Sequence, residues 1–349
     1  MPETDADRSP ESARYYQAKS QTKAPKLVVF LIDESRSMLE PSGGVPKKDL
    51  VDKHVNQTLR LLGTLCSKDD GSLADRMYAA ALGYGGKDKA HPEIVSLFDR
   101  TSDQFDQADP VLSISQIFDL EARPEDLVDG TRQFIQSRAD GWTPMGAAVK
   151  RTGTVIHNFV AQQLATTKDG REDRRFPLPA PVILNVTDGR PTDDDLTPTP
   201  VEHWAQRLST GDCYPTSPEG GPVRLIDGPP LLINIGTPEG DDPRLDALLF
   251  PTEAELPPAG ESMEGDGVRR LWRLASPMHP NLVATAVQKG LLPQGSTHHG
   301  RRLYASTRAA GAGEGGPGSA GQPGPGGAGN WSILERIFEW GSVNKDQPH

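Results

Sequence analysis

Six apolar residues, LVVFLI at 27–32, run directly into Asp33, and Ser35 and Ser37 follow at alternate positions. A short run that is apolar on both faces and rich in β-branched residues fits a strand covered on both sides, the place of a central strand in a parallel sheet. Here the strand hands over to a carboxylate and two hydroxyls. In an extended or turning segment, residues i, i+2 and i+4 share one side. Asp33, Ser35 and Ser37 can therefore converge on one point, while Glu34 and Arg36 point elsewhere.

The same pattern returns along the chain. PVILNVTDG (181–189) reads as a second buried strand ending in an aspartate, Asp188, and LLINIG (231–236) as a third. RMYAAALGYG (76–85) is a strand that stops at glycines. EIVSLF (93–98), an edge candidate, and VLSISQIF (111–118) read as shorter strands. Helices fall between them. Val51, Val55, Leu59, Leu62 and Cys66 step by three or four through 47–66. Met145, Val149, Val155, Ile156, Phe159 and Val160 do so through 145–165. A helix opened by Pro124 is expected to run to about Arg138, with further helices at 201–208, 243–250, 267–276 and 281–290. Strands alternating with helices predict an α/β fold, a doubly wound, mostly parallel central sheet with helices on both faces.

With 36 Gly and 32 Pro in 349 residues and 35% hydrophobic content, the core must carry long loops or tails. The reading divides the chain into a polar, disordered segment 1–24, one domain over 25–308 with surface insertions near 209–230 and 251–266, a Gly/Pro/Ala linker over 309–330, and a C-terminal amphipathic tail, 331–349. In the tail, Trp331, Leu334 and Phe338 share one helical face, with Ile333 and Ile337 beside it. Such a helix docks either on its own domain or on a partner, and the sequence leaves both open. A net charge of −11 argues against nonspecific nucleic-acid binding. Two cysteines give no disulfide framework, which fits a reducing compartment. The first 25 residues contain no apolar leader, and LVVFLI is far short of the roughly 20 residues of a membrane span. The expectation is a soluble, cytoplasmic protein without a membrane partner.

Loops leaving the carboxyl ends of parallel strands gather on one rim, where ligands bind. Three loops place oxygen donors there: residues 33–37, Trp142–Gly146, and Thr187–Asp188–Gly189. They offer the hydroxyls of Ser35, Ser37 and Thr143 and the carboxylates of Asp33 and Asp188, with no thiolate and no well-placed imidazole. An all-oxygen set suits a hard cation, Mg²⁺ or Mn²⁺, rather than zinc or copper. Gly189 lets the chain turn beside the metal. Each piece also has an ordinary reading: a polar strand-to-helix loop, a Thr-Pro helix start, an Asp-Gly turn. Their coincidence on one rim favours the metal. Asp193, Asp194 and Asp195 read as a helix start or solvated run. GYGGKDK (83–89) lacks phosphate-loop spacing, His298 and His299 lack zinc-type partners, and no G-x-S-x-G elbow is present.

Together, Asp33-x-Ser35-x-Ser37, Thr143 in a T-P-x-G loop and Thr187-Asp188-Gly189 resemble the metal-ion-dependent adhesion site (MIDAS) of von Willebrand factor A (vWA) domains, over roughly 25–305. The resemblance implies that Ser35, Ser37 and Thr143 hold Mg²⁺ directly or through water. It also implies that Asp33 and Asp188 act largely through bound waters, and that a partner protein supplies an Asp or Glu to the metal. The chain further resembles bacterial intracellular vWA proteins of the tellurium-resistance type. That implies a signalling or stress-response setting, with a kinase, a phosphatase or an AAA+ ATPase as partner. The family's glycine-rich approach to the Thr is here Asp140-Gly141-Trp142, so a bulky Trp142 joins Glu34 and Arg36 on the expected partner-binding rim. This reading is non-enzymatic. The alternative is a Mg²⁺-dependent phosphotransferase of the haloacid-dehalogenase type with Asp33 as nucleophile. That pattern needs a second Asp two residues on, where this chain has Ser35.

Overall fold

The computed structural model describes residues 24–306 except 43, 89–90, 99–109, 121–126, 129–130, 166–176, 189–191, 193–199, 216–225, 238–244 and 246–247. The expected N-terminal tail (to residue 23), the linker, the C-terminal tail, Gly189 and the 193–195 acidic run lie outside the described residues. In chain order the main elements are β1 (Lys26–Asp33), α1 (Lys47–Cys66), β2 (Met77–Gly85), β3 (Glu93–Ser96), β4 (Leu112–Ser113), α2 (Ile114–Asp119), α3 (Met145–Ala165), β5 (Val182–Thr187), α4 (Val201–Thr210), β6 (Leu231–Gly236), α5 (Met263–Leu274), α6 (Pro280–Gln288) and β7 (Tyr304–Ser306).

The strands form a seven-stranded sheet in the order β7–β6–β5–β1–β2–β3, with β4 also on β2. Pairings from β2 across β1, β5 and β6 to β7 are parallel, and β3 and β4 join β2 antiparallel. The fold is therefore α/β with a mostly parallel central sheet.

Period-two alternation splits each central strand between two cores. Val28, Phe30 and Ile32 of β1 pack with Val51, Val55, Leu59 and Leu62 of α1 and with α6. Leu27, Val29 and Leu31 pack on the other face with α3, α4 and α5. All these β1 side chains are at most 2% exposed. Each contributes about 1.5–3 kcal/mol by leaving water, and Phe30→Ala, which would open a cavity, costs about 3–5 kcal/mol. The expected apolar rows of the 47–66 and 145–165 helices are the rows that face these cores.

After β1 the chain steps to β2 on one side, then returns to lay β5, β6 and β7 on the other. The loops leaving β1 and β5 therefore part in opposite directions, which opens a crevice at the carboxyl ends of those two strands. Asp33 ends β1, and Asp188 follows β5.

Three expected elements differ. Residues 111–118 are not one strand: β4 stops after two residues because Ser113 and Gln116 close a reciprocal capping box that starts α2. The helix expected from Pro124 to Arg138 is replaced, among the described residues, by a small antiparallel ribbon (Leu127–Val128 with Thr131–Arg132) and a non-helical run over 133–140. Side chains of α1 take three of its amides. Asn56 Oδ1 accepts from Phe134 N at 2.5 Å and Ile135 N at 3.1 Å, and the Asp52 carboxylate accepts from Ser137 N at 2.9–3.0 Å. Within 243–250, Leu249 bridges Ala305 and buried Phe250 takes a left-handed backbone (φ 49°), so that end is not helical. Among the described residues no helix is long and apolar enough to cross a membrane.

Candidate metal centre

The end of β1 is stitched to two other strand ends. Glu34 N donates to Tyr84 O at 2.9 Å, carrying the chain past β2, and Arg36–Leu39 forms a single 3-10 turn. The loop before α3 lies against this turn. Arg36 N donates to Gly141 O at 2.9 Å, Asp140 N to Glu34 O at 3.1 Å, and Trp142 N to Gly86 O at 3.0 Å. The approach is so close that a Cβ on Gly141 would stand 2.4 Å from Gly86 N, so only glycine fits there. Thr143 is fixed next. Its N–H donates to Thr192 Oγ1 at 3.0 Å, and its carbonyl accepts from Thr192 N at 2.9 Å.

Within this frame the predicted donors form one continuous chain. Asp33 Oδ2 accepts from Thr187 Oγ1 at 2.6 Å, and Asp33 Oδ1 from Ser35 N at 2.8 Å. The Ser35 and Ser37 hydroxyls share a hydrogen bond of 3.0 Å, and Ser37 Oγ donates to Asp188 Oδ1 at 2.8 Å. Thr143, 4% exposed, lines the same cleft as Ser35, Ser37 and Asp188. Asp33, Ser35, Ser37, Thr143 and Asp188 are thus gathered at one place from three distant segments.

Sequence reasoning missed Lys47. Its Nζ donates to Asp188 Oδ2 at 2.7 Å and lies 3.7 Å from Glu40; its side chain is 3% exposed and that of Asp188 is 0% exposed. Lys47 opens α1, where the helix dipole disfavours a cation. A lysine directly after Pro46 at a helix start was the available signal. Thr187, noted only as part of its loop, is the second omission.

The charges do not balance. Burial, with the neighbouring Asp188 carboxylate adding to it, pushes Asp33 up to about 7, against the pull of hydrogen bonds from Thr187 and Ser35. Two carboxylates share a covered site, and the nearby ammonium reaches only one of them. A divalent cation would correct that deficit. Among the described residues no group of three or more His, Cys, Asp or Glu side chains could hold a metal. A cation here would thus lean on hydroxyls as well as carboxylates, and this donor set fits a hard ion.

The centre forms the floor of a cleft of about 410 Å³. Its walls include Arg36, Trp142, and Met263, Glu264, Val268 and Leu271 of α5. Trp142 is 44% and Met263 71% exposed, so the rim is apolar above a polar floor. The α5 wall was not expected. The helix begins at Met263, inside the stretch read as an insertion, because Ser262 Oγ accepts from Gly265 N at 3.0 Å. A buried polar row holds it to the sheet: Tyr84 OH to Asn185 Oδ1, Asn185 Nδ2 to Asn234 Oδ1, and Asn234 Nδ2 to Leu271 O, each 2.8 Å.

Glu34 does not belong to the rim. It is 5% exposed and accepts from Arg138 N, and Gly83 leaves room for its carboxylate, since a Cβ there would stand 2.4 Å from Glu34 Oε2. Arg36 and Trp142 are exposed at the cleft. His298 and His299 stack on each other, ring centroids 4.2 Å apart, away from the cleft lining.

No family model matches the chain, and no curated protein matches it. Solved structures with a similar arrangement include proximal thread matrix protein 1 of the mussel byssus (14% identity, 64% of this chain and 40% of that one, TM-score 0.31). A second structure of that protein is described with a zinc-occupied MIDAS motif. The pilus adhesin SpaC of Lactobacillus rhamnosus GG shares 11% identity (74% and 28% of the two chains, TM-score 0.37). Manganese-loaded TRAP of Plasmodium vivax shares 18% (63% and 60%, TM-score 0.28). The chain spans well under two thirds of the length of the first of these proteins.

Proposed function

We propose that this chain is a vWA-type protein-binding module that uses a Mg²⁺ or Mn²⁺ ion to dock an Asp or Glu of a partner protein. The hydrogen-bonded chain Asp33–Ser35–Ser37–Asp188, at the floor of an apolar-rimmed cleft, carries this reading. Ser35, Ser37 and Thr143 would hold the ion, with Asp33 and Asp188 behind them. A bound divalent cation supplies a coordination position for an anionic oxygen. Hydroxyl donors are neutral and leave much of its charge unspent. A carboxylate bound there out of water gains several kcal/mol, where an exposed salt bridge gains about 0–1 kcal/mol. Arg36 adds positive charge at the cleft mouth, and Trp142 and Met263 offer apolar contact to the residues flanking that carboxylate.

The phosphotransferase reading draws no support from the geometry. Asp33 is 0% exposed, accepts from Thr187 and Ser35, and does not line the cleft, so it is not presented to a substrate there. Ser35 stands where that chemistry needs a second acid. A bacterial signalling or stress-response partner, such as a kinase, a phosphatase or an AAA+ ATPase, remains the proposed class. The test is capture of partners on immobilised protein in Mg²⁺, in EDTA, and with Ser35→Ala. Capture present only in the first supports the module. Capture indifferent to both changes moves the binding surface away from this cleft.

A further inference from the structure

The cleft has a candidate occupant in the same polypeptide. We propose that the C-terminal segment 331–340, WSILERIFEW, docks in cis over the metal centre, with the Glu339 carboxylate at the ion and Phe338 and Trp340 against the apolar rim. The proposal rests on the metal-dependent reading above and names a ligand for it.

Three observations carry it. The first is where the chain leaves the sheet. In β7, Ser306 stands in register with Gly236 of the parallel strand β6, and Gly236 and Thr237 line the cleft. The chain therefore departs from the same edge of the sheet that carries the site. β7 lies two strands from β5, about 10 Å at ordinary strand spacing. Residues 307–330, dominated by the run AAGAGEGGPGSAGQPGPGGAG, have a composition whose coil spans ~27 Å. The tether therefore reaches the cleft with slack and keeps the local concentration of the segment in the mM range.

The second is chemical fit. The cleft pairs an oxygen-lined floor with Trp142, Met263 and Val268 on its walls. Segment 331–340 offers a carboxylate with an aromatic residue on each side and further apolar residues at helical spacing. Glu335 adjoins Arg336 and lacks the second apolar neighbour, so Glu339 is the better match.

The third is charge. Around the cleft, Asp33, Asp188, Glu264 and Glu40 face Arg36 and Lys47, an excess of two negative charges when all are ionised. An acidic segment is repelled from that surface. A bound divalent ion cancels that excess and offers a position for an anionic oxygen, so the segment docks in metal and leaves in chelator. A partner's carboxylate must then compete with Glu339 for the ion.

The test uses the full chain labelled with 5-fluorotryptophan, its ¹⁹F signals assigned by single Trp→Phe variants. Mn²⁺ at the site broadens fluorines near it. The expected result is broadening of both Trp142 and Trp340, with Trp340 alone recovering in Glu339→Gln and not in Glu335→Gln. Trp142 broadened beside a sharp Trp340 overturns the docking and leaves the metal reading standing. A sharp Trp142 overturns the metal reading, and the docking with it. Labelled chain diluted into excess unlabelled chain keeps its broadening if the contact is in cis. Broadening that grows with total concentration overturns the cis assignment in favour of a second copy.

Discussion

β1 carries a charged residue at each end, and the two ends are treated differently. At its start, half-buried Lys26 has its pKa lowered to about 8 by burial, offset in part by the opposite charge of Asp227. At its finish, Asp33 is pushed up to about 7 by burial, and the neighbouring Asp188 charge pushes it further in the same direction. Lys26 meets an opposite charge. Asp33 meets a like charge, and the buried ammonium of Lys47 is bonded to Asp188. A strand that needed only to end could have ended as it began. The surplus of negative charge at one end of the same eight residues distinguishes a site from a structural ion pair.

The contrast can be broken in several places. The largest expected effect is at Asp188. Asp188→Asn removes the buried counter-ion of Lys47, leaving the exposed Glu40 at 3.7 Å, and should cost up to about 3–5 kcal/mol in denaturant unfolding. Adding Lys47→Met should recover most of that loss; no recovery would mean that Lys47 is not the counter-ion of Asp188. Next in size is the metal itself. At about 100 times its dissociation constant, Mn²⁺ should add about 2.7 kcal/mol, roughly 5–10 °C in melting temperature for a domain of this size. Ser35→Ala should abolish the shift, and equal shifts in both proteins would place the ion elsewhere.

The pH dependences of the two ends should have opposite signs. The unfolded chain releases the Asp33 proton near 3.8 and the folded chain near 7, so metal-free stability from this group falls as pH rises across that interval. Lys26 keeps its proton to about 10.5 unfolded but only to about 8 folded, so its contribution rises between those values. Saturating Mn²⁺ should flatten the first slope and leave the second, and Lys26→Met should do the reverse. The smallest effect is expected at the rim: Trp142→Ala, at an exposed position, should change stability by no more than about 0.5 kcal/mol. It should still weaken Mg²⁺-dependent partner capture.

The sequence showed most clearly what is local. The apolar runs at 27–32, 182–186 and 231–235 are the three central strands, and the 47–66 periodicity coincides with α1. The oxygen-bearing residues of the cleft could be picked out because Asp33, Ser35, Ser37 and Asp188 follow strong strand signals and Thr143 precedes a strong helix signal. What the sequence hid depends on partners far along the chain. The stretch from Pro124 to Arg138 looks helical by pattern, yet Asn56 and Asp52 of α1 take the amides of Phe134, Ile135 and Ser137. Glu34 alternates outward on paper but is drawn in because Gly83 leaves space for it. Lys47 looks like a surface lysine until Asp188, 141 residues later, is placed against it.

The account turns on whether these oxygens bind one ion. Crystals of the intact protein soaked in MnCl₂ and measured at the manganese edge test this directly. The expected result is an anomalous peak bounded by the hydroxyls of Ser35, Ser37 and Thr143, with Asp188 still against Lys47. Saturating manganese with no peak at that position would contradict it.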